Sequence, residues 1–170
     1  MEHCAFIDQE DVKRCGILGI TISFHTNHLF YYGEALCDLV LGESITQKML
    51  PCKSALDSGM KIAFHSDAPM YDPNPLQVAA NAVARKTRSG KYIGKEEAIT
   101  LTQALKGITI DAAWQILREK ELGSIEIGKL ADFTILAENP YEVNIEHLKD
   151  IQIVTTYMDG VDTSTLKYNT

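Results

Sequence analysis

The sequence predicts an α/β fold in which helices alternate with buried parallel strands. Residues 60–64 form a short apolar run with little alternation, which is typical of a strand covered on both faces. The β-branched segment 20–24 predicts a second strand of this kind, and helix-like segments lie before and between the two. Helix, strand, helix, strand with short connections favours a parallel sheet.

Capping residues mark the helices of the first half. Asp8, with another aspartate three positions later, predicts a helix that starts there and ends at Gly19. Residues 29–40 are predicted to be helical or irregular. Pro51 is expected to begin a short helix that Gly59 ends, directly before the apolar strand.

Three helices are predicted after the apolar strand. They cover residues 76–86, 95–105 and 111–121, with a break near Gly107. Three helices in a row after the last strand look like the closing of a barrel.

The composition changes after these helices. Residues 123–136 predict a strand, a turn at Gly128 and another strand, and residues 151–158 alternate as a further strand before an Asp-Gly turn. This tail is expected to be a small antiparallel β unit, distinct from the α/β body.

Charge and composition exclude several kinds of protein. The 170 residues carry a net charge of −7, which argues against a general nucleic-acid surface. Basic residues cluster only at 85–88 and nearby, where we interpret them as a solvated loop. No apolar run approaches the ~20 residues of a membrane span. The composition suits a cytoplasmic protein without membrane or nucleic-acid partners.

Four cysteines are spread along the chain without C-x-x-C spacing, so a zinc ribbon or redox motif is unsupported. Without a recognisable signal peptide, we expect reduced and mostly buried thiols rather than two disulfides.

Three motifs occur in a characteristic order: Glu-His-Cys at residues 2–4, Phe-His-Ser-Asp-Ala-Pro at 64–69, and Gly-Ser-Ile-Glu-Ile-Gly-Lys-Leu-Ala-Asp at 123–132. Together they resemble the C-terminal part of metal-dependent amidohydrolases of family 3. The branch is that of N-substituted formamide deformylase-like and exoenzyme-regulatory-like proteins. The resemblance covers roughly residues 1–161.

The resemblance implies a fold and a division of the chain. Residues 1–121 would form the C-terminal portion of a TIM-type (β/α)8 barrel, from the end of its sixth strand to its final helices. Residues 122–170 would supply strands of a small β-sandwich. The chain would then be a truncated part of the enzyme, with the N-terminal half missing or contributed by another chain.

The resemblance also assigns roles to two residues. His3 matches the metal-ligand histidine at the end of the sixth barrel strand. Asp67 matches the aspartate after the eighth strand, which binds metal and acts as general base and acid. The metal of such enzymes is zinc or another divalent ion, and whether this chain alone binds one is left open. A metal lowers the pKa of bound water and polarises the carbonyl, while the carboxylate moves the proton.

Three further histidines are candidates for substrate binding. His25 and His28 follow the predicted strand 20–24, and His65 lies two positions before Asp67. Ordinary loop roles for the first two and a packing role for His65 are the alternatives.

The implied function is hydrolysis of carbon–nitrogen bonds other than peptide bonds, with a small-molecule amide or formamide as substrate. The chain alone is expected to be inactive or very weak, because the family's His-x-His, lysine and fifth-strand histidine have no counterpart in it. Two alternatives stay open: a non-catalytic regulatory or interaction domain that kept the fold, and a deaminase of the same superfamily. An open half-barrel would favour self-association or pairing with the missing N-terminal half.

Overall fold

The computed structural model describes residues 1–165. The sequence-predicted tail domain, 122–170, is therefore described only in part, because residues 166–170 lie outside the described residues. The described chain is a mixed α/β structure with two sheets, one parallel and one antiparallel.

The first sheet contains three parallel strands in the order β1-β2-β3. They are β1 (Glu2–His3), β2 (Ile22–Phe24) and β3 (Ile62–Phe64). His3 pairs with Phe24, and Phe24 with Phe64, so the carboxyl ends of all three strands lie at one edge. The two predicted strands and their parallel arrangement are confirmed, and the sheet adds β1 at the start of the chain.

Helix α1 (Gln9–Ile17) connects β1 to β2. The Asp8 carboxylate accepts a hydrogen bond from the backbone N–H of Asp11 at 2.8 Å, which is the predicted N-cap. Gly19, at φ +69°, follows the end of the helix. Both predicted helix boundaries are confirmed because local hydrogen bonds and glycine geometry determine them.

Four helical segments separate β2 from β3. They are α2 (Asn27–Ala35), a π-helical turn (Leu36–Val40), α3 (Glu43–Thr46) and α4 (Cys52–Asp57). Helix α4 begins directly after Pro51, and Gly59, at φ +82°, reverses the chain into β3, as predicted.

Helix α5 (Pro75–Ala84) follows the proline-rich loop after β3 and is capped by Asn74. The residue after it, Arg85, is fully buried at φ +51° and donates hydrogen bonds to the carbonyls of Met49 and Leu50 at 2.6 and 3.0 Å. Its Nε also donates to the carbonyls of residues 93 and 94. The interpretation of residues 85–88 as a solvated loop is wrong for Arg85, because its side chain is buried and donates hydrogen bonds to backbone carbonyls in the interior.

The two helices predicted at 95–105 and 111–121 are shorter and differently placed. A 3₁₀ turn (Lys95–Glu97) precedes α6 (Leu101–Gly107), and α7 (Ile110–Gln115) follows. The predicted break near Gly107 is confirmed, because α6 ends there. Thr100 forms a capping box with Gln103, so α6 begins after it and not at residue 95. Helix α7 ends early because the chain turns at residue 117, which has φ +60°.

The second sheet is antiparallel, with β4 (Phe133–Leu136), β5 (Ile153–Met158) and β6 (Val161–Asp162) in that order. Of the strand, turn and strand predicted at residues 123–136, the turn at Gly128 and the second strand, β4, are confirmed. The first strand is wrong, because residues 123–126 form a bend and irregular structure. Gly123 instead packs against the backbone of Ile110, where a Cβ atom would come within 2.7 Å. The predicted Asp-Gly turn joins β5 to β6.

The core lies between the parallel sheet and its helices, with Ile22, Phe24 and Ile62 fully buried. All four cysteines are free thiols, as expected, and Cys15, Cys37 and Cys52 are buried. Within residues 1–165, no helix combines the length and apolar character needed to cross a bilayer.

Candidate functional site

Side chains from three strands meet at the carboxyl edge of the parallel sheet. His3 ends β1, His25 directly follows β2, and His65 directly follows β3. His28 lies in the first turn of α2, and Asp67 is in the loop after β3. The structure thus brings together all five residues that the sequence singled out as site candidates. Their individual roles remain predictions.

His3 and Asp67 face each other across this edge. The Nε2 atom of His3 lies 3.5 Å from Oδ2 of Asp67, and both side chains are partly exposed. Both backbones are left-handed, with φ of +65° at His3 and +59° at Asp67. Non-glycine residues adopt this conformation at a cost, and such strain clusters at functional sites.

His25 occupies the buried centre of the cluster. Its ring centroid lies 4.1 Å from that of His28, 5.0 Å from that of His65 and 5.5 Å from that of His3. Neither of its ring nitrogens has a hydrogen-bond partner among residues 1–165. Burial is the main cause that lowers the pKa of His25 to about 4, and the adjacent His28 and His65 contribute to that shift. The ring is therefore neutral at pH 7 and offers a lone pair.

His65 is oriented by hydrogen bonding at one ring nitrogen. Its Nδ1 lies 2.8 Å from the Ser23 hydroxyl and 3.3 Å from Oε2 of Glu2. Its Nε2 is buried and has no partner in the described part of the chain. Burial lowers the pKa of His65, and the Glu2 carboxylate opposes that shift.

His28 completes the ring of imidazoles. Burial lowers its pKa, and the nearby His3 adds to this effect. Three of the clustered histidines, His25, His28 and His65, are biased toward the neutral form. Neutral rings can accept hydrogen bonds or bind metal, whereas protonated rings would repel one another.

The donor set fits a divalent transition metal. One nitrogen each from His3, His25 and His65 lies within 4.8 Å of the others. Imidazole nitrogens are common ligands of zinc and similar ions. The buried ring nitrogens of His25, and Nε2 of His65, have no hydrogen-bond partner among residues 1–165, and a metal ion would satisfy them.

A cavity of about 540 Å³ opens beside His3, His65 and Asp67. Its other walls are mostly apolar and include Phe64, Pro73, Val78, Ile108 and Ala112. This volume suits a small organic ligand. A cleft of about 590 Å³ lies elsewhere, between α2 and α5, and none of the clustered histidines lines it.

Three residues near the cluster were missed by sequence reasoning. Glu2 and Ser23 contact His65 as described, and the Tyr71 hydroxyl is buried without a hydrogen-bond partner in the described region. The Tyr71 ring lies 5.3 Å from that of His25, and burial raises the pKa of its hydroxyl. Glu2 could have been suspected from its place beside His3, but no local pattern indicates Ser23 or Tyr71.

A sequence profile described as "Amidohydrolase family" matches residues 1–162. The chain belongs to this family. The N-substituted formamide deformylase of Arthrobacter pascens is 33% identical over 162 residues, which cover 95% of this amidohydrolase chain and 30% of that relative. The chain thus spans about 30% of the length of this curated relative.

Solved structures show the same fold. An uncharacterized metal-dependent hydrolase from Pyrococcus horikoshii superposes with a TM-score of 0.72 and 22% identity, covering 86% of this chain and 30% of that one. An adenosine deaminase from Xanthomonas campestris with bound zinc gives a TM-score of 0.65 and 17% identity, covering 95% and 36%. At such identities the likeness establishes the fold and leaves the activity to other arguments.

Proposed function

We propose that this chain forms one side of the active site of a metal-dependent hydrolase that acts on carbon–nitrogen bonds other than peptide bonds. The observation that carries the proposal is the pairing of His3 with Asp67, 3.5 Å apart at the carboxyl edge of the sheet. Active sites of α/β barrels lie at that edge. Family membership and the named activity of the Arthrobacter relative support a formamide or amide as substrate.

The fold is consistent with a segment of a larger barrel. In this proposal, residues 1–121 supply strands six to eight of a TIM-type barrel with its final helices, and residues 122–170 supply strands of an adjoining β-sandwich. The three parallel strands with intervening helices support the first part, and the antiparallel sheet supports the second. The outer edges of β1 and β3 have no strand partner among residues 1–165, which favours pairing with a missing half or self-association.

Each residue of the pair has a defined chemical role. His3 and Asp67 would hold a divalent metal, zinc being the best match to the donors. A metal bound there would lower the pKa of water and polarise a carbonyl. The Asp67 carboxylate accepts a proton from the attacking water and delivers it to the leaving nitrogen as the C–N bond breaks and the new C–O bond forms.

The cavity indicates how a substrate would lie. Apolar walls at Phe64, Val78 and Ile108 suit the hydrocarbon substituent of an N-substituted amide. His28, which is partly exposed and biased toward its neutral form, can accept or donate a hydrogen bond to the polar end of the substrate.

A chimera tests the proposal, because we expect little or no turnover from the chain alone. Residues 1–162 would replace the matching segment of the Arthrobacter deformylase, and formate release from an N-substituted formamide would be measured. We expect activity in the chimera and a loss of about 100-fold or more with Asp67→Asn. Asp72→Asn, at an exposed position in the same loop, is the matched control.

The products distinguish the proposal from its alternatives. Ammonia release from an aminated heterocycle, without formate release, would favour the deaminase alternative. A folded chimera that forms no product from either substrate would contradict the proposal and favour a non-catalytic regulatory role.

A further inference from the structure

We infer that His3, His25 and His65 together bind one divalent transition-metal ion, in a three-imidazole site contained entirely within this chain. The inference deepens the proposed function, on which it rests for the role of the metal. It also goes beyond the sequence resemblance, which implied only two ligands, His3 and Asp67, and led us to expect an incomplete site.

The surroundings of His65 prepare one nitrogen for a metal. Its Nδ1 faces the Ser23 hydroxyl and the Glu2 carboxylate, at 2.8 and 3.3 Å. A carboxylate accepts but does not donate, so it favours the tautomer with a proton on Nδ1 and a lone pair on Nε2. Metal-binding histidines are characteristically held in this way by a carboxylate on the second nitrogen. This arrangement leaves the ion the buried Nε2 of His65, which has no partner in the described part of the chain.

His25 presents two further ring nitrogens that call for an explanation. The residue is completely buried, and both ring nitrogens lack hydrogen-bond partners within residues 1–165. Buried polar atoms are nearly always satisfied, so an exception calls for an ion, a water or a strained arrangement. An ion shared with His65 satisfies His25 without requiring a further protein group at that position.

The positions of the three rings suit one ion. Their ligand atoms lie within 4.8 Å of one another. Tetrahedral zinc with Zn–N bonds of about 2.1 Å needs nitrogens roughly 3.4 Å apart. Binding of one ion therefore requires side-chain rotations that bring these nitrogens closer together. The three rings lie at the ends of three different strands of one sheet.

Asp67 lies beside the three-imidazole site, with Oδ2 3.5 Å from Nε2 of His3. Its carboxylate could serve as a fourth ligand of the ion, or it could accept a proton from a water molecule bound as the fourth ligand. Three neutral nitrogens with one carboxylate favour zinc or cobalt over magnesium or calcium, which prefer oxygen ligands.

The test is metal binding by the 170-residue chain, without substrate. The metal-free protein would be titrated with Zn²⁺ by calorimetry and with Co²⁺ by visible absorption. We expect one equivalent to bind, and His25→Ala and His65→Ala each to weaken binding by about tenfold or more. His147→Ala is the matched control, because the His147 side chain is 74% exposed and lies outside the cluster. Binding unchanged by both cluster substitutions, or no binding by the unmodified chain, would overturn the inference.

A second measurement does not depend on the variants remaining folded. Ring resonances of the histidines in the unmodified chain would be followed by NMR during the Zn²⁺ titration. Resonances of His25 and His65 should shift up to one equivalent, while those of His147 should not. Ring signals of His25 and His65 that stay in place while zinc binds would overturn the inference.

These results can be separated from those of the chimera. Formate release without metal binding through His25 and His65 would leave the hydrolase proposal intact and reject the three-imidazole site. If the chain binds zinc through these histidines but its chimera forms no product, the three-imidazole site stands and the hydrolase proposal is rejected.

Discussion

The Nε2 atom of His3 and Oδ2 of Asp67 lie 3.5 Å apart, although 64 positions separate the two residues in the chain. Both residues have left-handed backbones, at φ +65° and +59°. The ends of β1 and of the segment after β3 therefore turn toward each other at the edge of the sheet. Neither turn uses glycine, although glycine would adopt this conformation without strain. The side chains at these positions therefore matter more than an unstrained backbone.

Backbone strain at Asp67 predicts an unusual order of stabilities. Alanine at φ +59° pays a steric penalty that glycine avoids, so Asp67→Gly should be more stable than Asp67→Ala by about 1 kcal/mol in urea unfolding. The same pair of substitutions at Asp72, which does not have a positive φ, should show the opposite order. Equal stabilities of the Asp67→Gly and Asp67→Ala proteins would contradict the prediction that the backbone is strained at this position.

Substitution of His25 should separate stability from metal binding. Leucine has a similar size and removes two buried nitrogens that have no partner within residues 1–165. His25→Leu should therefore raise the unfolding free energy of the metal-free chain by about 1 kcal/mol. The increase in melting temperature on adding Zn²⁺ should disappear in this variant. His147→Leu should change neither quantity. A less stable metal-free His25→Leu protein would show that the ring nitrogens are satisfied in solution.

The buried guanidinium of Arg85 should be essential for folding. It donates to four backbone carbonyls, and Arg85→Met leaves all of them without this donor, at an expected loss of about 3 kcal/mol or more. The exposed Arg88, three positions later, provides the control, because Arg88→Met should stay within about 0.5 kcal/mol of the unmodified protein. Urea unfolding measures both. Similar losses of unfolding free energy in Arg85→Met and Arg88→Met would argue against a stabilising role of the buried Arg85 guanidinium.

The thiol of Cys52 should make stability fall at alkaline pH. Burial raises the pKa of Cys52 to about 12, whereas a thiol in the unfolded chain ionises near pH 8.5. Between these values only the unfolded state loses the proton, so ionisation stabilises it. The unmodified protein should therefore lose about 1–2 kcal/mol more than Cys52→Ala between pH 8 and pH 10. Parallel pH profiles of the two proteins, measured by urea unfolding, would rule this out.

Exposed apolar residues at the end of α1 predict self-association. Ile17 and Leu18 are 85% and 68% exposed, beside a sheet whose outer edges lack strand partners among the described residues. The double substitution Ile17→Lys with Leu18→Lys should reduce the concentration-dependent mass increase in sedimentation velocity. Glu10→Lys makes the same change in net charge on the same helix without removing apolar surface. If Glu10→Lys reduces self-association as much as the double substitution does, the effect comes from the change in charge and not from the loss of apolar surface.

Local signals predicted much of the fold. The Asp8 cap, the glycines after α1 and α4, and the two apolar strands all appeared where the sequence placed them. These features depend on hydrogen bonds and backbone preferences within a few residues. The prediction failed where a competing local cap or a distant contact decided the outcome. Thr100 interrupted a helix, and the close approach of Gly123 to Ile110 replaced a strand by a bend and irregular structure.

The site was predicted in its parts but not in its arrangement. His3 and Asp67 were marked by the resemblance, and His25, His28 and His65 by their places after predicted strands. Nothing in the sequence indicated that the Nδ1 of His65 would face Glu2 and Ser23. Nor did it indicate that both nitrogens of His25 would be buried without partners among the described residues. These facts depend on which strands are neighbours and on how deep each ring lies.

The sequence by itself determined that His3, His25 and His65 end or follow three strands and that Asp67 follows the last of them. Parallel pairing then required these residues to share one edge of the sheet. Only the tertiary structure decided that three imidazoles would meet closely enough to share an ion, and that Arg85 would lie inside rather than in solvent. The physical reason is that burial and ligand distances arise from packing between segments far apart in the chain, which no local pattern encodes.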